Sequence, residues 1–468
     1  MMLSSQIRLY SSLGPARLKP IEKLLALLSD RSSAGTDLAQ SSVWNLVMRL
    51  GGMGASLLLG IVLARYLGPS QFGIYGIFIS LAMILSVAAR LGFPNLATRE
   101  IAVAVHREEW ALARGVIHWF GRTILLLSVL CAVGLILGVL LWTGDTKSTW
   151  FGYSIWSALL VPLLALGALV GAELRGLDRL VAGQSLDSFV RPALTCLFCV
   201  GAVLLLGSMT TALALGLNAI ASALTLALGL MLLRLWMPSP LRAADPERHG
   251  RRWGKSALML GAVDGLRQVD ANLGLIILGA LSQTPEAGYL RVALSAIVFV
   301  TLPQTVVHLV TGPTLARLGS TGEHPQLQGL LSQSAASLSF VTMAFLAILI
   351  VAGQPLIELM FGAAYRPAWL PLVALAAAQL VNACFGIGWI LMTMSGGERQ
   401  LAQFYAVSVG LSILAGVPLC IAYGATGAAA AAILGALVQN LLVWRHVRMH
   451  HSVDCSVLSA WKKSKSIR

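Results

Sequence analysis

Five polar or charged residues interrupt one otherwise apolar stretch of the chain, and their types and spacing could do chemistry. They are Asp264, Arg267, Gln268, Asp270 and Asn272. On a helix the first three would share one face, because residues three and four apart are neighbours. A guanidinium presents parallel N–H donors that match phosphate oxygens, and the carboxylates could hold it in place or bind a cation. The alternative is a ladder of ion pairs that only neutralises itself.

Arginines in other apolar stretches could contribute to the same site. Arg49 lies early in the first stretch, at about the depth that Arg267 has in the seventh, and Arg291 lies near the start of the eighth. Two arginines on one cavity could clamp a doubly charged anion, although side chains of this length can instead extend to the membrane interface. Four arginines are predicted to lie at inner ends of their stretches, where they could attract anions to an entrance: Arg90, Arg122, Arg191 and Arg234.

The elements that must position these residues are membrane-spanning helices. The chain has 468 residues, of which 57% are hydrophobic and 11% charged, whereas a soluble domain carries about a quarter charged residues. The apolar residues form stretches of about 20 to 25 residues, the length that crosses a hydrocarbon layer of about 30 Å. This composition excludes a soluble enzyme and predicts an all-α integral membrane protein with about twelve transmembrane helices. We place them at residues 43–66, 72–93, 116–142, 151–173, 186–207, 212–236, 256–281, 287–312, 333–353, 368–394, 401–422 and 425–444.

The basic excess of the chain is explained by its orientation in the membrane. There are 33 Lys and Arg against 19 Asp and Glu, a net charge of +14. Outside the stretches the basic residues gather in connections on one side, and only Lys147 and Arg366 fall on the other. The positive-inside rule therefore predicts that both termini are cytoplasmic. Because the outer connections are too short to hold a catalytic domain, we expect a multi-pass protein that is not an enzyme.

Sequence motifs for cofactors and nucleic acids are missing. The chain has no Gly-Lys-Ser/Thr phosphate loop, no His-Glu-x-x-His motif and no basic run interleaved with aromatic residues. Cys196 and Cys199 form a C-x-x-C pair inside an apolar stretch, where we interpret them as packing residues. The sequence thus predicts no bound metal, no cofactor and no nucleic-acid partner.

An internal repeat divides the chain into two halves. Residues 67–75 read LGPSQFGIY and residues 278–289 read LGALSQTPEAGY, each followed by an apolar span. The second copy begins six spans after the first, and because six is even both copies cross in the same direction. We therefore predict two six-helix lobes, related by a parallel repeat, around a central cavity. The predicted divisions are a basic N-terminal tail, the N-lobe, a basic cytoplasmic linker, the C-lobe and a basic C-terminal tail, at residues 1–42, 43–237, 238–255, 256–444 and 445–468.

Short motifs in both halves resemble the polysaccharide transporter family of O-antigen (Wzx-type) flippases, within the multidrug/oligosaccharidyl-lipid/polysaccharide exporter superfamily. The resemblance covers residues 41–445. At Arg90 the chain departs from the family, which commonly has an acidic or neutral residue there. The motifs are ARYLGP at 64–69, FGxY at 72–75, LGFP at 91–94, TRE at 98–100, EAGY at 286–289, LMFGxxY at 359–365 and LMTMSG at 391–396.

The resemblance implies a flippase that moves a polyprenyl-diphosphate-linked oligosaccharide from the inner to the outer leaflet of a bacterial inner membrane by alternating access. Its product would serve surface polysaccharide synthesis, with membrane lipid and a polysaccharide polymerase complex as partners and proton or sodium coupling in place of a cofactor. Asp264 and Asp270 would bind the coupling ion or form ion pairs. The residues expected to bind substrate are Arg49, Arg90, Arg267, Gln268, Asn272 and Arg291.

Two other functions compete with this one. A cation-coupled multidrug exporter of the same superfamily would need an acidic cavity, whereas the arginines Arg49, Arg267 and Arg291 outnumber Asp264 and Asp270 within the spans. A non-transporting assembly partner of a polysaccharide machine would have the same topology without a substrate site. The excess of basic side chains favours an anionic cargo.

Overall fold

The computed structural model describes residues 36–247, 250–307, 311, 324–451 and 453–459. Within these ranges the chain is almost entirely helical and contains no strand. Most of the predicted N-terminal tail, up to residue 35, and the end of the predicted C-terminal tail, from residue 460, lie outside the described residues.

The first helix, α1 (Thr36–Arg90), contains two predicted spans separated by a break. The break is at Gly68, whose φ of 72° and ψ of 171° are not helical. Glycine adopts this conformation without steric cost, and Pro69 has no N–H with which to continue the helical hydrogen bonds. The chain therefore ends one helix and starts the next at the first copy of the repeat motif.

The rest of the first half consists of helices with recognisable end signals. Gly144 and Gly207 adopt left-handed conformations that end the helices Trp110–Thr143 and Arg191–Leu206. The hydroxyls of Ser148 and Thr210 cap the helices that follow. The helices are α2 (Phe93–His106), α3 (Trp110–Thr143), α4 (Thr149–Gly176), α5 (Leu180–Ser185), a π turn (Leu186–Val190), α6 (Arg191–Leu206), α7 (Thr211–Trp236) and α8 (Ser239–Ala243).

The second half follows the same plan, with breaks at glycines. Gly386 (φ 67°) divides the predicted tenth span, and Gly424 (φ 55°) separates the two spans in the last helix. The helices are α9 (Gly250–Ala280), α10 (Thr284–Ala296), α11 (His324–Phe361), a 3-10 turn (Ala363–Ala368), α12 (Trp369–Phe385), α13 (Gly388–Met394) and α14 (Glu398–His451).

Nine helical segments among the described residues are long and apolar enough to cross a membrane. Two of them, Leu46–Arg90 and Glu398–His450, have 45 and 53 residues and contain the breaks at Gly68 and Gly424. Helix α9, which carries the charged residues of the predicted seventh span, is not among the nine. The protein is thus an all-α multi-pass membrane protein, and its helices are compatible with the predicted count of twelve.

The two halves of the chain meet closely at glycines near both ends of the helical bundle. At one end, named here the Gly68 end, a Cβ atom on Gly73 would lie 1.9 Å from the Thr284 carbonyl oxygen, and one on Gly288 would lie 2.0 Å from that of Pro69. Both glycines belong to the repeat motif, so its two copies pack directly on each other. Small residues of this kind let membrane helices approach to backbone contact.

At the opposite end, named here the Gly92 end, a second close approach joins α9 to the start of α2. The Gly92 N–H donates a hydrogen bond of 3.0 Å to the Ala257 carbonyl oxygen. A Cβ atom on Gly261 would lie 2.4 Å from the Gly92 nitrogen. Between these two contacts the helices leave internal cavities.

Candidate functional site

A polar cavity with two arginines on its wall has a volume of about 500 Å³. Arg49 reaches it from α1, and Arg267 and Asp270 reach it from α9. The structure thus brings three of the predicted site residues to one cavity. Its wall is completed mainly by polar and aromatic side chains: Gln304, Asn382, Trp389, Tyr405, Gln439 and Asn440. We call it the central cavity.

The Arg267 guanidinium is placed over an aromatic ring. Its Cζ atom lies 5.2 Å from the ring centroid of Trp389, a cation–π geometry. Trp389 is presented by α13, a short helix that exists because Gly386 ends α12 with a positive φ. Arg267 and Arg49 are both exposed side chains, so their N–H groups are accessible from the cavity.

Asp270 supplies a carboxylate on the same wall, one helical turn from Arg267. A Cβ atom on Gly435 would lie 3.7 Å from an oxygen of this carboxylate, so α14 packs against it. Within the described part of the chain, no ion pair joins Arg267 to Asp264 or Asp270. The alternative of a self-neutralising ion-pair ladder therefore finds no support in this structure.

Amide side chains form a second feature of the cavity wall. The Asn440 amide donates to the Asn382 side-chain oxygen at 2.7 Å, and the Asn382 amide donates to that of Gln379 at 3.3 Å. Gln304 donates to the Gln379 carbonyl oxygen at 3.3 Å. These residues were not predicted from the sequence. Amides within predicted spans eight, ten and twelve were nevertheless a usable signal, because buried polar groups need partners.

The remaining predicted residues on α9 do not line the central cavity. Asp264 accepts a hydrogen bond of 2.9 Å from the Asn95 amide, which joins α9 to α2 near the Gly92 end. Asn272 is buried, and its amide donates to the Gln268 carbonyl oxygen at 2.9 Å. Helical spacing puts Asp264 one turn from Arg267, as predicted. The hydrogen-bond partner of Asp264, however, is on another helix.

Arg90, near the Gly92 end, is influenced by two carboxylates and one other guanidinium. The charges that act on Arg90 are those of Asp187, Asp264 and Arg191. Arg191 was predicted to lie at the inner end of a span that begins at residue 186. The helical segment begins at Leu180 rather than at residue 186, and it continues through the π turn to Leu206, so Arg191 lies well inside it.

Arg291 does not reach the central cavity and instead lines a separate pocket. That pocket has a volume of about 100 Å³ and is also lined by Tyr75, Arg191 and Asn218. The structure therefore divides the predicted arginines into two pairs, Arg49 with Arg267 and Arg291 with Arg191. We call the second site the enclosed pocket.

The fold is that of transporters of the MOP superfamily. A MATE family multidrug resistance transporter in an inward-facing conformation superposes with a TM-score of 0.67 at 14% identity, over 88% of this chain and 98% of the other. An outward-facing MATE structure gives 0.59 at 15% identity, over 90% and 99%. A MOP superfamily transporter from Pyrococcus furiosus, for which a reverse polarity of the binding pocket is described, gives 0.58 at 16% identity, over 90% and 99%. At these identities the similarity establishes the fold alone, and it confirms the predicted fold class.

Sequence comparison identifies the family. The chain is 23% identical over 411 residues to the "Probable low-salt glycan biosynthesis flippase Agl15" of Haloferax volcanii, which covers 87% of this chain and 82% of the relative. The profile of a family described as "Polysaccharide biosynthesis protein" matches residues 38–319, more than half of the chain. The predicted resemblance is confirmed, and the chain belongs to the polysaccharide biosynthesis protein family.

Proposed function

We propose that the protein is a flippase that carries a polyprenyl-diphosphate-linked oligosaccharide across the membrane, with the diphosphate held in the central cavity. The observation that carries this proposal is that Arg49 and Arg267, both from apolar stretches, line one polar cavity. Charged side chains within a membrane span cost about 2.5 to 3.5 kcal/mol each and are retained mainly where they face a cavity or a partner. Two guanidinium groups against the single carboxylate of Asp270 favour an anion.

The cavity also suits the first sugars of a glycan. Its volume of about 500 Å³ lies within the roughly 300 to 1,000 Å³ of ligand-binding pockets, enough for a headgroup but not for a long oligosaccharide. The amides of Asn382, Gln439 and Asn440 and the hydroxyl of Tyr405 can donate to and accept from sugar hydroxyls. With the diphosphate bound by the arginines, these amide side chains would remain free to contact the glycan.

Contacts between the two halves support alternating access as the mechanism. At the Gly68 end, Arg65 donates to the Met360 carbonyl oxygen at 2.9 Å and to that of Leu359, and the Tyr365 hydroxyl donates to the Ala64 carbonyl oxygen at 2.9 Å. By the predicted topology this end is the outer one. Opening there requires these polar contacts to break, which a rocking of one half against the other would accomplish.

The predicted topology also supports a place for the protein in the cytoplasmic membrane of a bacterium, with both termini inside. The matched curated relative is archaeal, and a polyprenyl carrier on the cytoplasmic leaflet would suit either kind of cell. The matched relatives are a flippase and transporters rather than enzymes, in agreement with the expectation from the sequence. A polymerase that receives the flipped glycan would be the next partner.

The competing multidrug exporter would take up organic cations. Among the described residues that line the central cavity, Asp270 supplies the only carboxylate, and two arginines share the wall with it. A cationic cargo would meet net repulsion from this wall.

The proposal is tested by flipping in liposomes that contain the purified full-length protein and a fluorescent short-chain polyprenyl-diphosphate-linked sugar. Arg49→Gln and Arg267→Gln should each slow translocation about tenfold or more, because each removes charge-assisted hydrogen bonds worth about 1.5 to 3 kcal/mol. Lys147→Gln, at an exposed side chain between α3 and α4, should flip at the wild-type rate. Translocation of an organic cation but not of the diphosphate lipid would overturn the proposal.

A further inference from the structure

The enclosed pocket lies apart from the central cavity and is formed by both segments of α1 together with α6, α7 and α10. Its volume is about 100 Å³. Its polar lining consists of two arginines, a tyrosine, an amide and small hydroxyl side chains: Ser56, Tyr75, Arg191, Thr195, Asn218 and Arg291, with Ser295 beside them. None of the described residues that line the pocket is an Asp or a Glu.

Both arginines of the enclosed pocket have unsatisfied hydrogen-bonding capacity. The Nε atoms of Arg191 and Arg291 are shielded from solvent and have no hydrogen-bond partner in the described structure. A buried charge is costly unless it is paired and hydrogen-bonded. Two such groups on one small pocket, with no carboxylate on its wall, leave the site short of an anion.

The surrounding helices hold the two side chains in place. The aliphatic part of Arg291 lies on Gly76, where an added Cβ atom would be 3.2 Å from its Cδ and Cγ atoms. Arg191 directly follows the π turn, and its N–H donates to the Leu186 carbonyl oxygen. Turns of this kind occur frequently at functional sites. Both guanidinium groups are therefore held at the pocket by the surrounding helices, unlike those of mobile surface side chains.

A further donor faces the same space. The Tyr75 hydroxyl accepts a hydrogen bond of 3.1 Å from the Asn218 amide. Because a tyrosine hydroxyl both donates and accepts, this bond leaves its own O–H available to a ligand. Two guanidinium groups and a phenol O–H form a donor set suited to phosphate oxygens.

We propose that the enclosed pocket is a second anion site, which binds a phosphate group. It rests on the proposed function in so far as that group is the diphosphate of the lipid carrier on its way across the membrane. The site takes one arginine from each predicted lobe, Arg191 and Arg291, just as the central cavity takes Arg49 and Arg267.

Helix α1 connects the two sites. Arg49 lines the central cavity, and Ser56 lines the enclosed pocket. These residues are two helical turns apart and share one face, which separates them by about 10 Å along the axis. A diphosphate that leaves the central cavity toward the Gly68 end would therefore meet the second pair of arginines next.

The size of the enclosed pocket limits what it can take. A volume of about 100 Å³ corresponds to roughly three water molecules. It accommodates a phosphate group but not a sugar ring. The second site would thus select the phosphate end of the carrier, while the glycan stays in the larger space.

The test uses the full-length protein in phosphatidylcholine nanodiscs, with inorganic pyrophosphate as the probe and thermal unfolding as the readout. Pyrophosphate should raise the unfolding midpoint of an R49Q/R267Q variant, which lacks the central arginines. Adding Arg291→Gln or Arg191→Gln to that variant should weaken the apparent affinity at least tenfold. The proposal would be overturned if the additional substitution changed neither the response to pyrophosphate nor the response to farnesyl diphosphate.

A second measurement separates a ligand-binding role from a structural one. Without any anion, Arg291→Gln should raise the unfolding midpoint above that of the wild type, because it removes an unpaired buried charge. A purely structural role for Arg291 would lower the midpoint, which would count against the site. Arg291→Lys keeps the charge and should retain part of the pyrophosphate response. Lys147→Gln, at an exposed side chain between α3 and α4, should change neither quantity.

Farnesyl diphosphate distinguishes the source of the phosphate. If farnesyl diphosphate binds through Arg191 and Arg291 and pyrophosphate does not, the ligand is a lipid headgroup. If farnesyl diphosphate and pyrophosphate both bind there, a free phosphate group is sufficient. Either result supports the site. If neither binds through these arginines, the proposal fails. Binding is measured without transport, so a failure of the flipping assay does not contradict the second site. Likewise, a failure of binding at the second site does not contradict the proposed flippase activity.

Discussion

The central cavity and the enclosed pocket each contain two arginines, but they surround them differently. In the central cavity the guanidinium of Arg267 has the Trp389 ring against it, the carboxylate of Asp270 lies on the same wall, and the arginines are exposed. In the enclosed pocket no described lining residue carries a carboxylate, and the Nε atoms of both arginines are buried without partners. The first site can therefore exist without ligand at little cost, whereas the second gains most when an anion is bound.

This contrast suits a carrier that must release its cargo. A site with partial compensation binds an anion without holding it too tightly, since the surrounding groups already stabilise the charges. A site without compensation attracts the anion more strongly but is smaller. The following predictions alter one region at a time, beginning with the largest expected effect.

Gly52→Ala should disrupt the support of the enclosed pocket. An added Cβ atom would lie 1.5 Å from the Ser188 carbonyl oxygen, which cannot accept the usual i+4 helical hydrogen bond because Pro192 has no N–H. We expect a loss of about 1 to 3 kcal/mol of stability, together with loss of the pyrophosphate response assigned to Arg191. Thermal unfolding in nanodiscs measures the first effect.

Gly54→Ala is the matched control, because an added Cβ atom there has no heavy atom within 4 Å. It should be neutral or slightly stabilising, since alanine favours a helix more than glycine does. If both alanine variants unfold at the same temperature, the close contact between α1 and the π turn is not what holds Arg191.

Trp389→Leu should affect the central cavity alone. It removes the ring that faces the Arg267 guanidinium at 5.2 Å, an interaction worth about 0.5 to 2 kcal/mol. Arg267 would then be less well positioned, and flipping of the diphosphate lipid should slow by about threefold to tenfold. Pyrophosphate binding in the enclosed pocket, measured by thermal unfolding, should not change.

Asp270→Asn should make the central cavity behave more like the enclosed pocket. Removing the carboxylate leaves Arg49 and Arg267 uncompensated, so pyrophosphate should bind a few times more tightly, in line with about 1 kcal/mol for a charge pair near water. Release should slow and the flipping rate should fall. Tighter binding together with faster flipping would contradict the idea that Asp270 limits affinity to permit release.

The smallest effect is expected outside both regions, where the segment 453–459 contacts the bundle. Burial raises the pKa of the Asp454 carboxyl, but hydrogen bonds from Ser456 and Trp444 and the nearby charge of Arg448 lower it more, so the pKa lies below its usual value. A depressed pKa stabilises the ionised, docked form above about pH 4. Docking should weaken as the pH falls through the folded pKa, and hydrogen exchange of this segment should report it.

Asp454→Asn should remove that pH dependence and loosen the segment at pH 7 by about 1 kcal/mol, a low value because the carboxylate is only partly buried. Cys455 offers a second measurement, since burial raises its pKa to about 12 and the thiol has 1% of its surface exposed. In a variant whose other cysteines are replaced, maleimide labelling at pH 7 should quicken roughly fivefold. Flipping should be unaffected if the segment only stabilises the bundle.

The sequence was sufficient to predict an all-α membrane fold and to place Arg49 and Arg267 on one cavity. Stretches of apolar residues define spans by length alone, and the depth of each charge follows from its place in a span. The predicted span that contains Arg191 begins at residue 186, whereas the helical segment begins at Leu180 and continues through the π turn.

The rest of the site depends on packing between helices that are distant in sequence. Trp389 reaches Arg267 only because Gly386 breaks the tenth predicted span, and no local pattern says which way the short helix after it turns. The Asn95 to Asp264 hydrogen bond likewise joins α2 to α9. Helical periodicity identifies the face on which a residue lies but not the helix it meets.

The glycine contact at the Gly68 end has a consequence for the origin of the protein. Gly73 meets the carbonyl of Thr284, four residues before Gly288, and Gly288 meets that of Pro69, four residues before Gly73. This exchange is isologous, the geometry that two identical subunits make across a two-fold axis. Such symmetry within one chain is the arrangement that fusion of two copies of one ancestral half leaves behind, with each copy presenting the same glycine to the other.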